Sequence, residues 1–319
     1  MSLETLLSEL ENPDAPIHAT NLASLSGLQG DDREQFLRAW RSLSVQRRRD
    51  LIDRLADLAE DNVELDFNAI FLVGVMDDDV QVRAESIKAL WEYEGDELSA
   101  MLLKLLEDPE AIVRSEAALG LGRYILRAEL DDQDDARTAE IAEALRRVAQ
   151  DERELVEVRG RAIEALGARS QDWVRDLIED AYASGERRLQ MSAVHAMGRS
   201  ADPEWLPTII EEMHNEDGEM RFEAAMAAGA IGDEDAVPEL SSLAVDEDPE
   251  VQEAAIGALG QIGGPAARSV LHSLAAEHTD ERVLDAVTDA LSEAEFLEDP
   301  LGLRLHLERG ADMGEEEDE

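Results

Sequence analysis

The side chains that most often do chemistry are sparse in this chain and poorly placed for it. The six histidines are followed by Ala19, Ala196, Asn215, Ser273, Thr279 and Leu307, so a His-Glu-x-x-His zinc helix is absent. Cysteine is missing altogether, which removes disulfides, thiolate metal sites and thiol nucleophiles together. The sequence has no phosphate-binding P-loop and no Gly-x-Ser-x-Gly nucleophile elbow. Gly257, Gly260 and Gly263 recur every third residue, which is not the dinucleotide fingerprint. Asp132, Asp134 and Glu143 approach a calcium-loop spacing, but Arg137 stands where the turn glycine belongs and Ala136 at a ligand position. That stretch reads as a solvated loop. His195 reads as an exposed, non-catalytic histidine, and Trp173 and Trp205 as packing residues. The expectation is a protein that is not an enzyme, with no catalytic or metal-binding residue and no cofactor.

Arginine is the side chain that remains. Arg83, Arg114, Arg159 and Arg221 recur at one position of a repeat described below, and they read as a structural ladder in which each pairs with an aspartate between repeats. A second group is Arg33, Arg38, Arg41, Arg47, Arg48, Arg49 and Arg54, opposed only by Glu34, Asp50 and Asp53, with Phe36 and Trp40 among them. Planar guanidinium groups favour carboxylate and phosphate partners. This segment is therefore a candidate dock for an acidic protein or an RNA backbone. Against that stands pairing within the chain, to Glu60, Asp61 and Asp77 to Asp79, which is the favoured reading.

The elements that must carry these residues are helical. Ala, Leu, Glu and Arg dominate, and aromatics are only 4%. Seven segments start at Val82, Val113, Val158, Leu189, Met220, Val251 and Val283, at intervals of 31, 45, 31, 31, 31 and 32 residues. Four positions on stand Ser86, Ala117, Ala162, Ala193, Ala224, Ala255 and Val287; seven on stand Ala89, Gly120, Ala165, Ala196, Ala227, Ala258 and Ala290. Positions 0, 4, 7 and 8 share one helical face, so each segment is an amphipathic helix. Nine on, the middle five carry Gly122, Gly167, Gly198, Gly229 and Gly260, expected as left-handed helix caps. A second apolar helical pattern lies in each interval, with Pro207 and Pro238 near the starts of two. Neither helix of a pair can bury its stripe alone, so the pairs must stack.

These columns resemble the HEAT family, in the short class typified by phycobilisome-lyase-like proteins. The residues that carry the resemblance are Val82-Arg83, Val113-Arg114, Val158-Arg159 and Met220-Arg221, with their alanine columns and Leu-Gly endings, over roughly 68–291. The resemblance implies an all-α, right-handed α-α superhelix of about seven to eight two-helix repeats, whose second helices line a concave surface that binds other proteins. Some relatives are enzymes. Deoxyhypusine hydroxylases of this type carry His-Glu pairs for two irons, and none exists here; bilin lyases lack a sharp motif, so a lyase-like or cofactor-handling protein stays as an alternative to the scaffold reading.

The expected organisation is a divergent helical cap over 1–66, a repeat array over 67–294 with a polar insertion at about 125–139, and a closing segment over 295–319. In that last segment Leu301, Leu303, Leu305 and Leu307 alternate as a capping strip ahead of an acidic tail from Gly314. The net charge is −47, from 76 acidic against 29 basic residues, among which Lys88 and Lys104 are the only lysines. Excess acid with almost no lysine is the pattern of extreme halophiles, where salt screens the self-repulsion. So negative a chain is not expected to grip DNA, and an RNA- or ribosome-associated role would rest on Arg33–Arg54 alone. The start shows no signal peptide, and Ala69 to Met76, the longest apolar run, is too short to span a bilayer. The expected setting is the cytoplasm, with a protein partner. Reversing Arg47, Arg48 and Arg49 to glutamate separates the readings of the arginine segment: docking predicts lost partner capture, whereas internal pairing predicts unchanged capture and lower stability.

Overall fold

The computed structural model describes residues 2–12, 15–131, 135–277 and 279–298. Among the described residues there are helices, turns and irregular connections, and no strand. The chain divides into two compact units, Met1–Ala165 and Leu166–Glu319.

The first unit opens with α1 (Leu3–Glu11) and the short α2 (Ala19–Leu22), which rest on the pair α3 (Gly30–Trp40) and α4 (Val45–Asp61). Three pairs follow: α5 (Asn68–Gly74) with α6 (Val80–Ala89), α7 (Asp96–Leu105) with α8 (Ala111–Leu130), and α9 (Ala136–Gln150) leading into α10 (Val156–Leu166). The second helices stack side by side, α4 on α6 on α8. Val82, Ile87, Leu98, Leu102, Val113, Ala117 and Leu121 are buried between layers, as the columns require. The extra residues of the 45-residue interval are mostly helical rather than a loop. They extend α8 to 20 residues, and the connection is only 131–135, of which 132–134 lie outside the described residues. Asp135 then caps α9, its carboxylate accepting from the Thr138 N–H at 2.7 Å.

The second unit repeats one plan: α11 (Asp172–Ala183) with α12 (Arg187–Arg199), α13 (Leu206–Glu212) with α14 (Gly218–Ile231), α15 (Val237–Leu243) with α16 (Pro249–Ile262), and α17 (Gly264–Glu277) with α18 (Glu281–Glu298). Here too α12, α14, α16 and α18 pack in order. Pro207 and Pro238 sit in the first turns of α13 and α15, where a missing N–H breaks no helical bond. The helix expected to end the array near 294 runs on to Glu298, and the alternating leucines and acidic tail beyond it lie outside the described residues.

The glycine column is not a set of caps. Gly122, Gly198, Gly229 and Gly260 lie inside α8, α12, α14 and α16, and none of the five column glycines has a positive φ. The left-handed caps fall elsewhere, as at Gly232 after α14, φ 74°. What the column requires is the absence of a Cβ. A methyl built on each would meet the Cα of the alanine seven positions into the next repeat. The distances are 3.0 Å from Gly122 to Ala165, 2.7 Å from Gly167 to Ala196, 2.6 Å from Gly198 to Ala227, 2.9 Å from Gly229 to Ala258 and 2.8 Å from Gly260 to Ala290. Second helices therefore cross backbone to backbone at a glycine–alanine contact. Gly198→Ala is expected to lower unfolding free energy by about 1–3 kcal/mol, the cost of forcing a methylene into a packed core. Gly257→Ala, in open space on α16, is expected to leave stability unchanged or raise it by up to about 1 kcal/mol through helix propensity. Urea midpoints of the two variants check the pair.

Candidate partner-binding face

The turns between helices of a pair explain both the acid and the arginines that precede each second helix. A side chain at the head of the turn accepts the N–H two residues on: Asp77 from Asp79, Asp108 from Glu110, Ser184 from Glu186, Asn215 from Asp217 and Asp246 from Asp248, at 2.8–3.2 Å. Asp79, Asp217 and Asp248 then cap α6, α14 and α16. Where the turn head is acidic, the arginine of the preceding repeat reaches it. Arg83 donates to Asp108 at 2.9 Å, and Arg221 donates to both oxygens of Asp246 at 2.9 and 2.8 Å. Arg114 makes the same fork to Glu154 at 2.7 Å, one position past the turn-head column, which here is Arg153. Each of these three arginines also donates to carbonyls of its own turn, such as Asp77, Asp108 and Asn215. The fourth member differs. Arg159 donates to the Ala149 carbonyl at 3.0 Å, as Gln190 does to Tyr182 and Gln252 to Ala244, both at 3.1 Å. In the sequence columns the next turn heads after these three are Ser184, Asn215 and His278, none of them a carboxylate.

The arginine-rich opening segment does not form one exposed dock. Phe36 and Trp40 are buried, packed on each other at 5.7 Å, and the Trp40 indole N–H donates to Asp77 at 2.9 Å. Arg47 is buried and donates to the carbonyls of Asn12 and Ala15. Arg48 pairs with Asp77 at 2.9 Å and donates to the Leu43 carbonyl. Arg49 forks onto Asp79 at 2.8 and 2.6 Å, and Arg54 donates to the Ile17 carbonyl at 2.5 Å. Arg33, Arg38 and Arg41 are exposed, Arg38 beside Glu34 at 4.0 Å. So four of the seven arginines hold the opening layer together, and the acids that Arg48 and Arg49 meet are Asp77 and Asp79. Arg48 is in fact a further rung. It precedes Arg83 by the same 35 residues that separate Ile52 from Ile87, and Asp77 heads the turn as Asp108 does.

With those surfaces accounted for, the exposed faces of the second helices remain. In the first unit α4 contributes Asp53, Asp57 and Glu60, α6 Glu85 and Lys88, and α8 Ile112, Glu116, Leu119 and Leu126. Asp53, Asp57, Glu60, Glu85 and Lys88 line a cavity of about 320 Å³. Burial pushes the Asp53 carboxyl up, with Glu85, Asp50 and Asp57 adding like charge. Glu116 is also raised by burial, against the opposing pull of Lys88 and Arg161. In the second unit the corresponding positions are His195, Met226 and Gly257; His195 Nδ1 lies 3.2 Å from Glu223. Trp205 is buried under the Arg175 guanidinium at 4.8 Å, and Arg175 also pairs with Glu204 and Asp202 beside a cavity of about 280 Å³. Among the described residues no three His, Asp or Glu side chains converge as metal ligands, and no helix is long and apolar enough to cross a membrane.

Stacked helix pairs whose second helices pack in register define an α-α solenoid. Residues 174–246 and 206–292 match the family model for HEAT repeats, and the chain carries HEAT repeats across that span. Similar solved structures include the complex of CpcE and CpcF of phycocyanin lyase from Nostoc sp. PCC7120, at 15% identity over 92% of this chain and 95% of that one, TM-score 0.54. Yeast importin-beta (Kap95p) is also similar, at 14% identity over 92% of this chain and 46% of that one, TM-score 0.50. At such identities the likeness is one of fold. No curated protein matches the chain in sequence.

The Arg49 fork and the Val82 N–H hold the Asp79 carboxyl at about 2, below its ordinary 3.8. Its contribution to stability is whole above about pH 4 and is lost as pH falls through 2. Arg49→Gln is expected to lower the melting temperature at neutral pH and move acid unfolding to higher pH. The difference from wild type should close below pH 2, as followed by circular dichroism.

Proposed function

We propose that this protein is a non-enzymatic scaffold that holds a protein partner against the exposed faces of its second helices, in the cytoplasm of a salt-adapted cell. The observation that carries the reading is the division of labour within those helices. The second helices bury their column residues against their neighbours, while Leu119 in the first unit and, separately, Met226 in the second are left 40% and 41% exposed. An exposed apolar set on a chain so rich in acid is the feature most in need of a partner. The arginine segment gives RNA binding little support, since Arg47, Arg48, Arg49 and Arg54 are engaged within the chain. The salt-adapted setting rests on 76 acidic residues against 29 basic ones of which only Lys88 and Lys104 are lysines. Affinity purification from the source cell in molar salt, with mass spectrometry and metal analysis, is expected to recover one protein in stoichiometric amount with a colourless, metal-free scaffold. A co-purifying pigment or metal would replace this reading with a cofactor-handling one.

A further inference from the structure

The long helix α8 carries an apolar line on its outer side. Ile112, Leu119 and Leu126 are spaced by seven, with Leu130 one turn further; they are 49%, 40%, 37% and 77% exposed. The buried sides of the same helix, through Val113, Ala117, Ala118, Leu121 and Ile125, have no exposure at all. A seven-residue spacing keeps side chains nearly in line along a helix, drifting by only about 20° per step. It is the geometry that a second helix reads through knobs and holes. From Ile112 to Leu130 the line runs about 27 Å, at about 1.5 Å per residue, enough for a helix of some three heptads.

The charge around this line has one sign left over. Lys88 is held by Glu85 at 3.1 Å and Glu116 at 3.9 Å, and Arg161 by Glu157 at 3.4 Å and Glu164 at 2.8 Å. Arg123 donates to the carbonyls of Gly120, Leu90 and Tyr93, and Arg127 pairs with Glu94. Asp57, Glu60 and Glu92, by contrast, have no ion-pair partner among the described residues, and Asp53 sits among like charges. A second copy of this chain would bring another −47 to the same surface. Charge complementarity therefore selects a different occupant.

We infer that Ile112, Leu119, Leu126 and Leu130 dock one amphipathic helix of a partner protein, apolar at seven-residue spacing and flanked by lysine or arginine. The inference rests on the scaffold reading and names the surface and the chemistry of its partner. The probe is a fluorescein-labelled peptide of about three heptads, with leucine on one seam and lysine on its flanks, titrated by anisotropy against the full chain. Two control peptides replace the leucines by serine or the lysines by glutamate. The leucine–lysine peptide is expected to bind, and the controls at least about tenfold more weakly. Leu119→Ser/Leu126→Ser should lose about tenfold or more with an unchanged melting curve, and Ile112→Ser/Leu130→Ser, at the most exposed positions, should do the same. Equal binding by the variants, or none by wild type, overturns the docking line. A dimer in sedimentation that the variants abolish overturns it in favour of self-association. Partner capture from the source cell separates the two levels: capture that survives both double substitutions removes this surface and leaves the scaffold, whereas capture by neither wild type nor variant removes the scaffold itself.

Discussion

Second helices in this protein approach until a glycine of one meets the alanine backbone of the next. At 2.6–3.0 Å from a built Cβ to the alanine Cα, the crossing admits no side chain on the glycine side. Much of the molecule follows from that closeness. The facing column must be alanine, because anything larger would meet the same backbone. Aromatics are few, because a narrow interlayer space is filled by Val, Leu, Ile and Ala; among the described residues the most deeply buried rings, Phe36, Phe67 and Phe71, lie in the first layers of the first unit. The apolar stripe of each helix is thin, and its burial needs a neighbour on either side.

Close crossing leaves the turns to satisfy what the helices cannot. Helix starts carry unpaired N–H groups, and a single carboxylate at the turn head takes one of them while also receiving an arginine from the layer before. Bidentate forks, as from Arg114 to Glu154 and from Arg221 to Asp246, are the stronger kind of charged hydrogen bond, and with the single Arg83–Asp108 bond they are half-buried, at arginine side-chain exposures of 11–16%. The acidity of the chain thus has a local structural use at Asp77, Asp108 and Asp246 that is separate from any adaptation to salt.

The sequence displays the repeats plainly because the same letters recur seven times, and recurrence multiplies a weak signal. It displays the role of the glycines poorly. A glycine ending a helix and a glycine inside a crossing are written alike, and only the run of α12 through Gly198 to Arg199, or of α14 to Ile231, tells them apart. Arg48 was readable, since its 35-residue offset from Arg83 equals that of Ile52 from Ile87. Arg47 was not: its partners are the carbonyls of Asn12 and Ala15, and a carbonyl leaves no mark in the letters. The line on α8 lies between these cases. The spacing of Ile112, Leu119 and Leu126 is visible, but a core helix has the same spacing, and exposure is a property of the layers around it.

The ion pairs at the turns also carry a direction. Arg83 reaches forward to Asp108, and Arg221 forward to Asp246, each a residue made later on the ribosome. Synthesis delivers the amino-terminal layers first. A newly emerged layer therefore holds its guanidinium against its own turn carbonyls and is finished only when the next turn has been translated and closed. Each repeat of this kind is latched by its successor.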